Sequence, residues 1–516
     1  MDGSIPITGR DLSPAAVAAI ARDGAAVRID PAARERMGAA ADVVRRAAEA
    51  GTPVYGVTTG LGPRVVHRVS DEEAREFSLL TVRGRAMAVG EPLAPELTRA
   101  AMAVRLNGLC AGGAGAGAAV ADGLAALLNA RIHPRVPRSG SVGAADLCML
   151  AHVGLTLIGE GEAELDGERM ASADALARVG LEPVALGPKD GLAICSSSAV
   201  AAGAAALALA DAEACLRSAQ VAAALSMEGF RANLSPLDPR VVRARPAPGQ
   251  AWAAAGLGDL LAGGDLTQLG AARRLQDPLS FRCASQIHGS LRVALDLLGA
   301  AVAAELAGAA DNPLVLVDDE EILSTGNFHV PALGLALDAT AVGLAQVAAA
   351  MAERQARLKT ERLSGLPHNL IAGPPTSATR SGMGPLSKTA HALVIEVRHA
   401  AAPFSVHPTV SADAVEDDST GATQAALRVH DQLARLQLLI ALELVVGAQA
   451  VDLAAPGRLG VGTDAAYRCV RESVAALEED RALGPDVERL ARDALASGEL
   501  LARVDQALAT AGRITS

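Results

Sequence analysis

Five stretches of this chain, residues 205–229, 285–310, 333–362, 383–400 and 422–452, carry apolar residues at helical spacing. Several are longer than an ordinary helix. Long amphipathic helices can bury their apolar stripes only against one another, so the pattern predicts a bundle extended by oligomerisation. The residue types agree. Half the chain is hydrophobic but only 2% is aromatic, so the apolar mass is Ala, Leu and Val. Ala and Leu are strong helix formers, and small side chains let helices approach closely. The expectation is a mainly α protein: a long central helical bundle over residues 201–516 and a smaller mixed N-terminal domain over residues 1–200.

The N-terminal part is more varied. Short helical pieces lead to Val54-Tyr55-Gly56-Val57-Thr58-Thr59-Gly60-Leu61-Gly62-Pro63, a glycine-rich loop holding one of two tyrosines. Residues 94–130 read as helical. A proline-punctuated connection then reaches Gly140-Ser141-Val142-Gly143. Asp146 is placed to cap a helix running to Ile158, which would set residues 140–146 at a positive helix end. Residues 160–172 read as a hairpin turning at Asp166-Gly167, and residues 314–323 as a second.

The net charge of -12 and the absence of a basic run interleaved with aromatics argue against nucleic acid. None of the six cysteines falls in a ligand spacing, so no metal is expected and buried free thiols are. His152 and His288 lie in apolar helical runs and read as satisfied core residues. The start of the chain shows no signal sequence, and charges interrupt the apolar stretches before membrane-spanning length. A soluble cytoplasmic protein, with no membrane partner, is the expectation.

Ordered motifs from about Val54 to Leu453 carry a family resemblance. They include the tyrosine loop, Arg105-Leu106-Asn107, Asn129 with His133-Pro134, Gly140–Gly143, Lys189-Asp190-Gly191-Leu192-Ala193 and Gln276-Asp277 with Ser280 and Arg282. Asp311-Asn312-Pro313, Gly326-Asn327-Phe328-His329 and Glu416-Asp417 follow in order. The chain resembles the aromatic amino acid ammonia-lyase and aminomutase family, typified by histidine ammonia-lyase. The resemblance implies that family's helical fold and a homotetramer whose active sites draw on several chains. It also implies a small carboxylate substrate, with Tyr55 as catalytic base and Arg282 as carboxylate anchor. Asn312, Phe328 and Gly62 would be substrate-binding, and Glu416 would hold an amine or relay protons. A phenol of ordinary pKa ~10 needs nearby positive charge to act as a base.

The departures cluster where the family builds its electrophile. There the segment after Gly-Ser-Val-Gly carries Ala-Ser-Gly, which cyclises and dehydrates to methylidene-imidazolone (MIO). This chain has Ala144-Ala145-Asp146, one residue short and without a hydroxyl to lose. The family's supporting asparagine is Ser196, a tyrosine is Leu279, and a histidine after Glu-Asp is Asp418. A Ser-His pair appears as Gly84-Arg85, so Arg85 would add positive charge and favour a second acidic group on the substrate. Ala496-Ser497-Gly498 and Arg138-Ser139-Gly140 lie outside the expected place for MIO. No cofactor is therefore expected. Three functions stay open: an MIO-independent lyase or isomerase doing acid–base work through Tyr55, a silent binding homologue, and an ammonia-lyase acting on histidine, phenylalanine or tyrosine.

Overall fold

The computed structural model describes residues 3–69, 71–371, 380–406 and 409–513, and it is mainly helical. It resolves into two compact units. The first comprises Met1–Ala210, Leu298–Asp338 and Pro403–Arg428, and the second Asp211–Leu297, Ala339–Ala402 and Val429–Ser516. The first unit is thus discontinuous: two later segments join the N-terminal part.

In the first unit, short sheets are set among helices. Ile5–Ile7 pairs parallel with Val27–Ile29, and His133–Pro134, Glu162–Leu165 and Glu168–Ala171 form an antiparallel sheet. Both expected hairpins are present, the second as Leu314–Leu316 against Glu321–Leu323. The stretch 94–130 is two helices, Pro95–Cys110 and Ala118–Asn129. Between them Gly113 and Gly115 pack against side chains of Leu314, Ala309, Val44 and Val315, where a Cβ would collide. Pro95–Cys110 is almost wholly buried, its polar Arg99, Arg105 and Asn107 included. Its Arg99 donates to the carbonyls of Ile20, Ala21 and Leu128, groups left open at helix ends. Gly203 lets the long helix Ala199–Phe230 reach that helix's backbone; a Cβ there would lie 2.7 Å from the Ala100 carbonyl carbon.

Among the described residues the second unit is built of helices, Gln250–Leu261, Leu386–His399, Val461–Ser473 and Glu499–Thr510 among them. Arg354 and Glu443 form a fully buried ion pair at 2.6 Å, to which Ser226 donates at 3.0 Å. Phe230 stacks on Phe281 with centroids 4.2 Å apart. His288 is completely buried, but neither ring nitrogen has a hydrogen-bond partner, so it is not the satisfied core histidine expected. His152 likewise leaves Nε2 unpartnered.

A second expectation also needs correction. Charges do not interrupt every apolar stretch. The segments Asp190–Phe230, Pro331–Leu358 and Ala422–Ala454 are long and apolar enough to cross a membrane by length and composition. Their most apolar windows are 100%, 72% and 78% buried inside the protein, so here they are core helices. All six cysteines are unbridged, with Cys148 and Cys283 only partly buried.

Candidate active site

The first unit contains a pocket of about 950 Å³. Tyr55, Gly62, Arg85, Ala144, Ala145, Asn312, Phe328 and Glu416, all expected at a site, line it. Arg64, His67, Arg68, Phe77, Cys148 and Ser196 also line it.

The tyrosine loop is held by its own backbone. The amides of Val57, Thr58 and Thr59 all donate to the Val54 carbonyl, and Val54 and Val57 join an apolar cluster with Val43, Val44 and Val315. Gly56 has φ +67° and its absent Cβ would sit 2.5 Å from Leu192 Cδ2, so a side chain there would be strained and crowded. The chain then curls so that the Gly62 N–H donates to Tyr55 Oη at 2.9 Å. That bond fixes the phenol oxygen and leaves its own O–H free to serve the pocket.

The segment opposite is tied from every side. Gly143 has φ +81°, and a Cβ there would overlap Thr420 Oγ1, which donates to the Gly143 carbonyl at 2.8 Å. Ala145 takes φ +63°, a left-handed conformation costly for alanine. The Asp146 N–H donates to the Ser197 carbonyl at 2.7 Å. Its carboxylate accepts from Val200 N at 2.9 Å, Ala201 N at 3.0 Å and Thr423 Oγ1 at 2.6 Å. Asp146 does precede a helix, Leu147–Leu157, but its side chain does not cap it. It instead caps the N-terminus of Ala199–Phe230, whose open amides lie closer to the carboxylate. Burial pushes the Asp146 carboxyl up, while the hydrogen bonds from Thr423, Ala201, Ser141 and Val200 pull it down.

The remaining walls follow. Asn312 Oδ1 accepts from Thr325 N at 2.9 Å, which leaves its amide N–H groups for a ligand. The peptide bond to Pro313 is cis. Ser198 Oγ donates to the Phe328 carbonyl at 2.6 Å, linking that pocket residue to the start of the long helix. Behind Asn312, buried Arg105 bridges the Ala193 carbonyl and Asp311 Oδ1. Glu416 accepts from Ser411 Oγ at 2.8 Å, across a turn whose Ala412, Asp413 and Ala414 all have positive φ. Burial pushes the Cys148 thiol up; Arg85 opposes the shift and Glu416 adds to it. Burial pushes Cys195 up to about 12, again opposed by Arg85. Both thiols stay protonated near neutrality, and Arg85 and Glu416 act on the same stretch of wall.

Residues 12–472 match the model of the aromatic amino acid lyase family. The chain belongs to the aromatic amino acid lyase family. It is 39% identical over 498 residues to a histidine ammonia-lyase of Symbiobacterium thermophilum, covering 96% of this chain and 97% of that protein. Among solved structures it is similar to histidine ammonia-lyase of Trypanosoma cruzi, with TM-score 0.90 and 30% identity over 97% of this chain and 95% of that one. It is also similar to the ergothioneine-degrading enzyme ergothionase of Treponema denticola, with TM-score 0.91 and 29% identity over 96% and 99%.

Within this family frame, Ala144, Ala145 and Ser196 line the pocket where the resemblance places the electrophile and its support. Asp146 is fully buried behind them. These residues do not fit the group. No serine stands in the tripeptide, and the amide nitrogen nearest the place of ring closure is already bonded to Ser197. The two other serine-containing tripeptides are engaged elsewhere. Ser139 pairs with Val89 in a strand, and Ser497 Oγ donates to the Asp493 carbonyl at a helix end. Arg282 ends the short helix Leu279–Arg282 in the second unit and is not on the pocket wall. Sequence reasoning did not select Arg64, His67, Arg68, Phe77 or Cys148 as site residues. The basic residues continuing the tyrosine loop were the available signal for the first three.

Proposed function

We propose that this family member is a lyase that breaks a Cα–N bond in a carboxylate-bearing, amino-acid-derived substrate without a self-made electrophile. Acting as the phenolate, Tyr55 takes the β-proton, the Cβ–H electron pair forms the Cα–Cβ double bond, and the amine departs with the Cα–N electron pair. What carries the reading is Asp146, whose amide and carboxylate are both committed to neighbours where the family's ring would close. Asn312 and the anchor Arg282 serve the substrate carboxylate, Phe328 walls the pocket, and Glu416 faces the amine. Arg282 and the exposed leucines Leu269, Leu275 and Leu279 lie in the second unit. We infer a homotetramer in which such residues of a neighbouring copy complete the pocket, acting in the cytoplasm.

Without electrophilic activation the leaving group must be good on its own. A quaternary α-ammonium group meets that condition, because it leaves as a neutral tertiary amine. Ergothioneine, named in the description of the Treponema denticola neighbour, is a betaine of this kind. The test is amine release from histidine, phenylalanine, tyrosine and their Nα-trimethyl betaines. Release of trimethylamine from a betaine, with no ammonia from the free amino acids, supports the proposal. A Tyr55→Phe variant should lose about 10²–10⁴-fold in kcat.

The relatives named histidine ammonia-lyase favour a second reading, deamination of histidine itself. It predicts ammonia and urocanate from histidine. That product pattern would displace the first reading.

A further inference from the structure

We propose that Arg85 binds a second acidic group on the substrate, so that the pocket takes a carboxylate whose far end is also anionic. The proposal rests on the pocket being the substrate site, and it adds the substrate's charge class.

Arg85 closes the helix Asp71–Arg85 and lines the pocket half-buried. Its guanidinium makes no hydrogen bond or ion pair among the described residues. Its neighbour Arg83 behaves as a surface arginine and pairs with Glu160. An arginine has five N–H donors and cannot shed its charge, so withdrawing it from water without an anion is unfavourable. Two carboxylates, Asp413 and Glu416, line the same pocket, but among the described residues neither forms an ion pair or hydrogen bond with Arg85. The nearby thiols are protonated, and Glu416 is held by Ser411 rather than by Arg85.

Arg64 and Arg68 also line the pocket, but both are exposed. Arg85 is the half-buried arginine of this wall. A carboxylate or sulfonate there would meet a bidentate fork.

Two probes of equal shape test this: 4-carboxycinnamate and its neutral isostere 4-carbamoylcinnamate. Each is titrated calorimetrically into the intact protein. The expected result is at least about tenfold tighter binding of the carboxylate, the scale of a charge-assisted hydrogen bond. Arg85→Gln should erase the preference while the protein keeps its circular dichroism and melting temperature. Arg85→Lys should retain part of it, and the retained part should shrink with added salt. Equal affinities, no binding of 4-carboxycinnamate at millimolar concentration, or a preference surviving Arg85→Gln would each overturn the proposal. Binding is read without turnover, so failure of the elimination reading leaves this result standing, and the reverse also holds.

Discussion

Replacing Asp146 by alanine removes one carboxylate that serves three buried donors: Val200 N, Ala201 N and Thr423 Oγ1. Each donor left without a partner costs about 1–3 kcal/mol. Thr423 can turn its hydroxyl towards Ser141 Oγ, 3.1 Å away, so its share lies at the low end. The sum is roughly 3–7 kcal/mol, most of it at the start of Ala199–Phe230. Asp146→Asn keeps an acceptor for the two amides and should cost only about 1 kcal/mol. The assay is hydrogen exchange by mass spectrometry on peptides covering residues 196–204. About 3 kcal/mol of lost protection speeds exchange roughly a hundredfold. Asp146→Ala should show that acceleration at Val200 and Ala201, and Asp146→Asn should show far less. Equal exchange in wild type and Asp146→Ala would refute the capping argument. A pH signature accompanies it. Burial holds the carboxyl above its ordinary 3.8, so proton retention on folding adds, beside the capping bonds, an increment of stability that is fully present below that value and lost as pH rises through the folded one. Asp146→Asn should remove that dependence.

Breaking the buried pair with Arg354→Met should destabilise the protein by about 3–5 kcal/mol in urea, whereas Arg354→Met with Glu443→Leu should recover most of the loss. Buried His288 is depressed to about 3, so it stays neutral in the folded protein while the unfolded chain protonates near 6.5. Stability is therefore fully present above pH 6.5 and falls between 6.5 and 3, by at most about 1.4 kcal/mol per pH unit from this residue. His288→Leu should flatten that fall in melting-temperature measurements across the range. If a neighbouring copy supplies Arg282, mixing inactive Tyr55→Phe and Arg282→Ala chains under subunit exchange should restore activity; no recovery in confirmed mixed tetramers would place both residues in one chain.

Apolar periodicity located the long helices within a few residues, as with 333–362 against Pro331–Leu358 and 422–452 against Ala422–Ala454. It did not mark the break between Pro95–Cys110 and Ala118–Asn129. Gly113 and Gly115 are needed there because Leu314 and Val315, some 200 residues later, press on the backbone. The same non-local logic redirected Asp146, which looks like the cap of the next helix but caps another some fifty residues on. Part of the pocket was legible because motifs distant in sequence, such as Tyr55, Asn312 and Glu416, converge on it. Cys148, on the helix following the degenerate tripeptide, carried no pattern of its own. Whether the long apolar helices were core or membrane was also not decidable from composition, since only burial separates the two.

Whether the electrophile forms is read from the intact mass of the denatured protein at high resolution. The expected result is the mass calculated from the amino-acid sequence with no loss of water. A deficit of two water molecules, mapped by digestion to one tripeptide, would contradict it and make ammonia release from an amino acid the expected reaction.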